Sequence, residues 1–287
     1  MPADIGHPSI SLDLLHDFSE LVAYHFMVNA LLAGSIVAVM AGVIGWLMVL
    51  RRESFAGHTL SLMAFPGASG ATLIGIAPAW GYFGFCALAA LGIGRLAGVG
   101  RSRHVQASAG IGTVQAAGLA AGFLFVSLYS GVLGGLENLL FGTFLGISDS
   151  QVLVLAVVAA VSLALVAVAA RPLLFASVDP EAAAAQGVPS AALSTGFLLL
   201  LGLAVAATSQ ITGALLVFAL LVAPPAAAQA LTMRPAASLL LSVGLALTVV
   251  WLGLGIAYFS IYPVGFFITT VAFAIYLLAA LVGRLRR

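Results

Sequence analysis

The chain contains no lysine and one cysteine, and only 7% of its 287 residues are charged. Each shortage excludes something. Without lysine there is no Walker A phosphate loop, whose lysine holds the terminal phosphates, and no Schiff-base chemistry. If ATP drives this protein, another chain hydrolyses it. The lone Cys86 permits no disulfide frame, no paired-cysteine metal site and no iron–sulfur cluster, and reads as a small buried hydrophobe. Soluble surfaces need roughly a quarter to a third of charged residues, so a water-soluble domain of this length is excluded. The formal net charge of +1 comes with no basic patch, so nucleic acid is not an expected partner. No cofactor is expected.

Apolar length takes the place of charge: 63% of residues are hydrophobic and mean hydropathy is +1.21. A bilayer crossing takes about 20 apolar residues, and such runs recur along the whole chain in helical rather than alternating pattern. The expected fold is an all-α polytopic membrane protein with eight or nine transmembrane helices. The spans fall at about 24–50, 56–77, 80–98, 107–129, 150–170, 190–208, 212–232, 237–259 and 263–283. Residues 1–21 carry Asp4, Asp13, Asp17 and Glu20 without a basic residue, so they read as a retained exterior tail rather than a signal peptide. Residues 22–287 form one membrane domain. His7, His16 and His25 lack metal-site spacing and read as solvated residues.

Arginine sets the orientation. Arg51 and Arg52 follow the first span, Arg101 and Arg103 the third, Arg171 the fifth, Arg234 the seventh, and Arg284, Arg286 and Arg287 close the chain. Nine crossings from an exterior N-terminus put all of these on one side, as the positive-inside rule requires. Small residues four apart, Gly34, Ala38 and Gly42, then Gly118 and Gly122, mark faces where helices approach closely. The longest exterior connection, about 130–149, mixes Gly, Glu137, Asn138 and Asp149 with apolar residues and reads as a folded lip.

Two stretches interrupt the apolar pattern informatively. In Arg171–Pro189, Asp179 is placed to cap a short helix, Pro180 suits its first position and Glu181 adds negative charge at its positive end. Gly187 supplies a left-handed stop and Pro189 prevents continuation. A helix of about seven residues cannot stand alone in water, so it needs a surface, in this chain or on a soluble partner. In Arg51–Ala68, His58 and Ser61 share a helix face at i, i+3 ahead of Pro66 and Gly67. His58 has two readings: an intramembrane metal ligand, proton carrier or gate, or an interfacial side chain bonding to headgroups. Further on, Pro224 and Pro225 are expected to break or kink their span, at a pathway or for packing.

These blocks together resemble the permease subunits of ATP-binding-cassette importers for zinc, manganese and iron(II), the ABC-3 family. Its pattern of Arg-Arg, an aromatic, Gly-Asp-Ala-Leu-Ser-His and Pro-Gly is matched by Arg51, Arg52, Phe55, Gly57, Leu60, Ser61, Pro66 and Gly67. Its cytoplasmic Asp-Pro-Glu and Gly-Val-Pro recur at Asp179, Pro180, Glu181, Gly187, Val188 and Pro189, and its third signature at Gly213–Val217 with Leu220, Leu221, Val222 and the prolines. The resemblance covers roughly 26–283 and implies an importer permease of the metal/corrinoid type. It further implies a bacterial inner-membrane homodimer, an ABC ATPase subunit beneath each copy and an exterior substrate-binding protein delivering cargo. The helix from Pro180 to Gln186 would be the ATPase-coupling element, and 171–189 the cytoplasmic coupling loop. Where the family has an aspartate this chain has His58, and where it has the histidine this chain has Leu62, so His58 is the only metal ligand implied. A secondary transporter would need acids within the spans, and a membrane hydrolase paired carboxylates or a His-Glu-x-x-His motif; the spans contain neither.

Overall fold

In hydrocarbon every backbone polar group must be satisfied within the chain, and helices do this locally. The computed structural model describes residues 23–98, 105–129, 146–260 and 262–285, and these form nine helices. They are α1 (His25–Leu50), α2 (Ser54–Leu73), α3 (Pro78–Gly98), α4 (Val105–Leu128), α5 (Asp149–Val178), α6 (Pro180–Ala185), α7 (Ser190–Leu231), α8 (Pro235–Tyr258) and α9 (Val264–Leu285). Six segments among the described residues are long and apolar enough to cross a membrane: His25–Leu50, Ser108–Leu128, Asp149–Val178, Ser190–Gln210, Pro235–Tyr258 and Val264–Leu285. The tail with His7 and His16, Arg101 and Arg103, the lip with Glu137 and Asn138, and the last two arginines lie outside the described residues.

The bundle is organised around α7, which packs on α1, α2, α3, α5, α8 and α9. Its 42 residues contain one non-helical residue, Gly213, with φ 75° and ψ 159°. Ser194, near its start, bonds Arg51 at the end of α1, while Gln229, near its finish, donates to the Trp46 carbonyl at 2.9 Å. A straight helix would separate those two positions by about 50 Å. The chain therefore doubles back at Gly213, and α7 is two antiparallel limbs, the second being the short apolar helix Leu216–Leu231. Glycine suits the reversal because its φ is left-handed.

Pro224 and Pro225, expected to break or kink the span, do not break it. Helix runs through both prolines, and the break lies eleven residues earlier. The missing proline donors free the carbonyls four residues back, among them that of Leu221. Its oxygen is packed against Gly45 of α1 so closely that a Cβ there would collide with it, and Pro225 abuts the same glycine. A buried carbonyl facing a Cα–H is tolerable where an exposed one in lipid is not.

Glycines set other close approaches. Gly67 and Gly81 bring the α2 and α3 backbones into contact, each occupying the space a side chain on the other would need. Gly34 and Gly42 lie against Val250 and Val243 of α8, and Gly118 and Gly122 against Met63 and Phe65 of α2. Small residues in lipid are enriched at such faces. Polar bonds between helices reinforce them: Ser242 donates to the Gly42 carbonyl at 2.7 Å, Trp46 to Ser238 at 3.0 Å and Thr59 to Gln115 at 3.0 Å.

Following these contacts along each helix, the ends of α1, α3, α5 and α9 and the starts of α2, α7 and α8 gather at one end of the bundle. Arg51, Arg52, Arg95, Arg234 and Arg284 are all at that end. At the other end, Asn29 donates to Asp149 at 2.6 Å and to the Ile147 carbonyl at 3.1 Å, and His25 lies 2.9 Å from Asp149. His25 and Asp149 keep exposed side chains, as expected of His25, and their contact ties the start of α1 to that of α5.

Candidate functional site

The arginine-rich end carries the short helix. Asp179 accepts from the Ala182 N–H at 2.9 Å, Pro180 takes the first position and Glu181 lies in the first turn. The helix spans Pro180–Ala185, capped at Gln186, and Gly187 follows with φ 78°. Only Ala183 is buried; Asp179, Glu181, Gln186 and Gly187 are exposed. A six-residue helix held by one buried alanine presents nearly its whole outer face. The segment 171–178, expected as part of a loop, is instead the last two turns of α5, which continues through Pro172 to Val178. A proline there costs one bond to the preceding turn and does not stop a helix whose core side, at Leu173, is buried.

Its roots converge on one side chain. Arg51 donates through Nε and Nη2 to Glu53 at 3.2 and 2.9 Å, through Nη2 to Ser194 at 2.8 Å and through Nη1 to Ser177 at 3.4 Å. Its guanidinium lies 5.1 Å from the Phe197 ring centre. The side chain is 7% exposed. Burial pushes the Glu53 carboxyl up, against the opposing pull of Arg51, and Glu53 Oε2 is buried without a hydrogen-bond partner. Sequence reasoning missed this knot, because its serines stand 126 and 143 residues from Arg51 and nothing local marks them.

From the same turn α2 enters the bundle. His58, one turn in, is half-buried, packs with its ring centre 4.7 Å from that of Phe218 of the second α7 limb, the rings tilted by 58°, and keeps a buried Nδ1 without a partner. Leu62, one turn further, is half-buried and packs on the core. Ser61 does not join His58: its hydroxyl bonds back to the His58 carbonyl at 2.7 Å and it is 1% exposed. A helical serine in apolar surroundings satisfies itself this way. Pro66 and Gly67 are buried deeper in α2, and Pro224 and Pro225 in α7. Among the described residues no three His, Cys, Asp or Glu side chains gather to hold a metal. At the opposite end, a cavity of about 450 Å³ is lined by Ala79, Trp80, Phe83, Ser150, Gln151, Val154, Leu155, Ala207 and Gln210.

A bundle of apolar helices with one doubled-back helix, an imidazole whose buried Nδ1 has no partner and a short exposed helix at its arginine end has the features of a membrane transport subunit. Comparison with known proteins gives the family. The pattern of the ABC 3 transport family matches residues 23–283, and the chain belongs to that family as a multi-pass membrane permease. It is 31% identical over 217 residues to the manganese transport system membrane protein MntC of Halalkalibacterium halodurans, covering 76% of this chain and 73% of that protein. It is 31% identical over 222 residues to the chelated iron transport system membrane protein YfeC of Yersinia pestis, covering 77% and 74%. Among solved structures it is similar to PsaBC from Streptococcus pneumoniae in complex with Fab, with TM-score 0.81, 26% identity and coverage of 93% and 95%.

Proposed function

We propose that this permease is the membrane subunit of an ATP-driven bacterial importer of a divalent transition metal, zinc or manganese ahead of iron. The observation that carries the reading is the buried, unpartnered Nδ1 of His58 in α2, at a position where the family has a metal-binding aspartate. A buried polar atom with no bond is costly unless a ligand completes it. Imidazole donors favour zinc, whereas the names of the relatives favour manganese and chelated iron. Ser61, Pro66, Gly67, Pro224 and Pro225 would line the transport pathway together with His58.

Two copies would face each other with the path between them, and an exterior binding protein would deliver cargo. A separate ATPase would seat Asp179, Pro180, Glu181, Gln186 and Gly187. Nine crossings, with the N-terminus outside and the arginine-rich end in the cytoplasm, fit the positive-inside rule. A non-metal cargo on the same scaffold is the second reading, favoured by Leu62 in place of the family's histidine.

The test is cellular metal content in a strain lacking the gene, complemented with the native chain or with His58→Ala. Restoration of zinc or manganese by the native chain alone is the expected result. Unchanged content of every metal on deletion would transfer the protein to the second reading.

A further inference from the structure

The short helix α6 has one buried residue, and among the described residues it packs mainly on the helices on either side of it. Whatever pushes on it must be felt through its two roots, the end of α5 and the start of α7. Both roots meet Arg51: Ser177 stands two residues before Asp179, and Ser194 five after Pro189. Arg51 also ends α1, and the next two residues turn the chain into α2, which carries His58. That turn is tight. Arg52 sits at φ 59°, and the Glu53 N–H bonds back to the Met48 carbonyl at 3.0 Å.

We infer that Arg51 is the positioning residue that carries movement of the coupling helix to α2, by clamping Ser177 and Ser194 to the turn at which α2 begins. A planar guanidinium can hold both serines and Glu53 at once, which an ammonium on a flexible stem cannot do with the same rigidity. The buried Oε2 of Glu53, which no group in the described chain satisfies, lets the knot adopt a second bonding arrangement when the roots shift. The inference rests on the importer reading, but it concerns how motion is transmitted and not what is carried.

The experiment is zinc and manganese uptake per ATP hydrolysed by the complete complex, with its ATPase and binding protein, in proteoliposomes. Arg51→Gln should lower that ratio about tenfold, in line with the loss of a charged hydrogen bond. Arg51→Lys should recover it only in part, and Arg52→Gln, losing the same charge one residue away at an exposed site, should leave it intact. Should Arg51→Gln fail to assemble, the Ser177→Ala/Ser194→Ala double variant keeps the Arg51–Glu53 pair and decides the matter, again by a fallen ratio. A native ratio in the double variant, or in an assembled Arg51→Gln complex, overturns the inference. If the native complex itself moves neither metal, it is the importer reading that fails.

Discussion

Replacing Gly81 by alanine isolates what the α2–α3 contact contributes. A Cβ at Gly81 would collide with the Gly67 carbonyl oxygen and come within 2.8 Å of the Ala71 side chain. Part of what it meets is backbone, so the two helices would have to separate. Overpacking of this kind costs roughly 1–3 kcal/mol. Against it stands the helix-propensity gain of alanine over glycine, about 1 kcal/mol. Gly84, one turn along the same helix, has nothing within 4 Å of its would-be Cβ and collects that gain alone. The propensity term cancels between the two variants, so Gly81→Ala should be less stable than Gly84→Ala by roughly 1–3 kcal/mol. In thermal unfolding of the detergent-purified chain this is a gap of several degrees, at about 2 °C per kcal/mol. Gly67→Ala should fall with Gly81→Ala, and the double variant should cost less than the sum, because the second methyl enters a gap the first has opened. Equal midpoints for Gly81→Ala and Gly84→Ala would refute the claim that backbone contact holds α2 to α3.

Arg52 is a non-glycine residue in the left-handed region, a conformation costing an L-residue roughly 1–2 kcal/mol; Arg52→Gly should therefore raise the unfolding midpoint, and a fall would refute the strain. Asp179→Ala removes the cap of α6, a loss of about 1 kcal/mol, and should speed protease cleavage within 179–189 while α5 and α7 stay protected. Asn29→Ala strips donors from the Ile147 carbonyl and Asp149, costs about 1–2 kcal/mol and should accelerate amide exchange over 147–152; unchanged exchange would mean that the start of α5 holds without it.

Helix positions were legible because lipid leaves the chain few choices. Each drawn span has a helix beneath it, and even α6 was marked by Asp179, Pro180 and Gly187. Ends were harder to read. The fifth span looks finished at Arg171, yet α5 continues to Val178, because a polar residue ends a hydropathy run without ending a helix. The capping box formed by Ser148 and Gln151 was in plain view as Ser-x-x-Gln, but lay hidden in a segment read as a lip. The reversal within α7 was legible as the gap between the spans drawn at 190–208 and 212–232; what was misplaced was a break at Pro224 and Pro225, because proline announces a lost bond, whereas Gly213 is one of 32 glycines and announces nothing. Of the candidate site, His58 was visible as an imidazole among apolar residues. The Arg51 knot and the withdrawal of Ser61 depend on contacts distant in sequence or on a rotamer, which periodicity does not encode.

The short second limb of α7 bears on the membrane itself. Leu216–Leu231 has 16 residues, about 24 Å of helix, against a hydrocarbon core of about 30 Å. Its far end lies beside Trp46, near the arginine-rich layer, and Leu216, near its start, packs on Gly265 in the first turn of α9. Such a deficit is met by thinning the bilayer or by admitting water to the missing depth. A chain with such a limb is therefore matched to a bilayer that is thinner, or wetter, around Phe218 than around its longer helices.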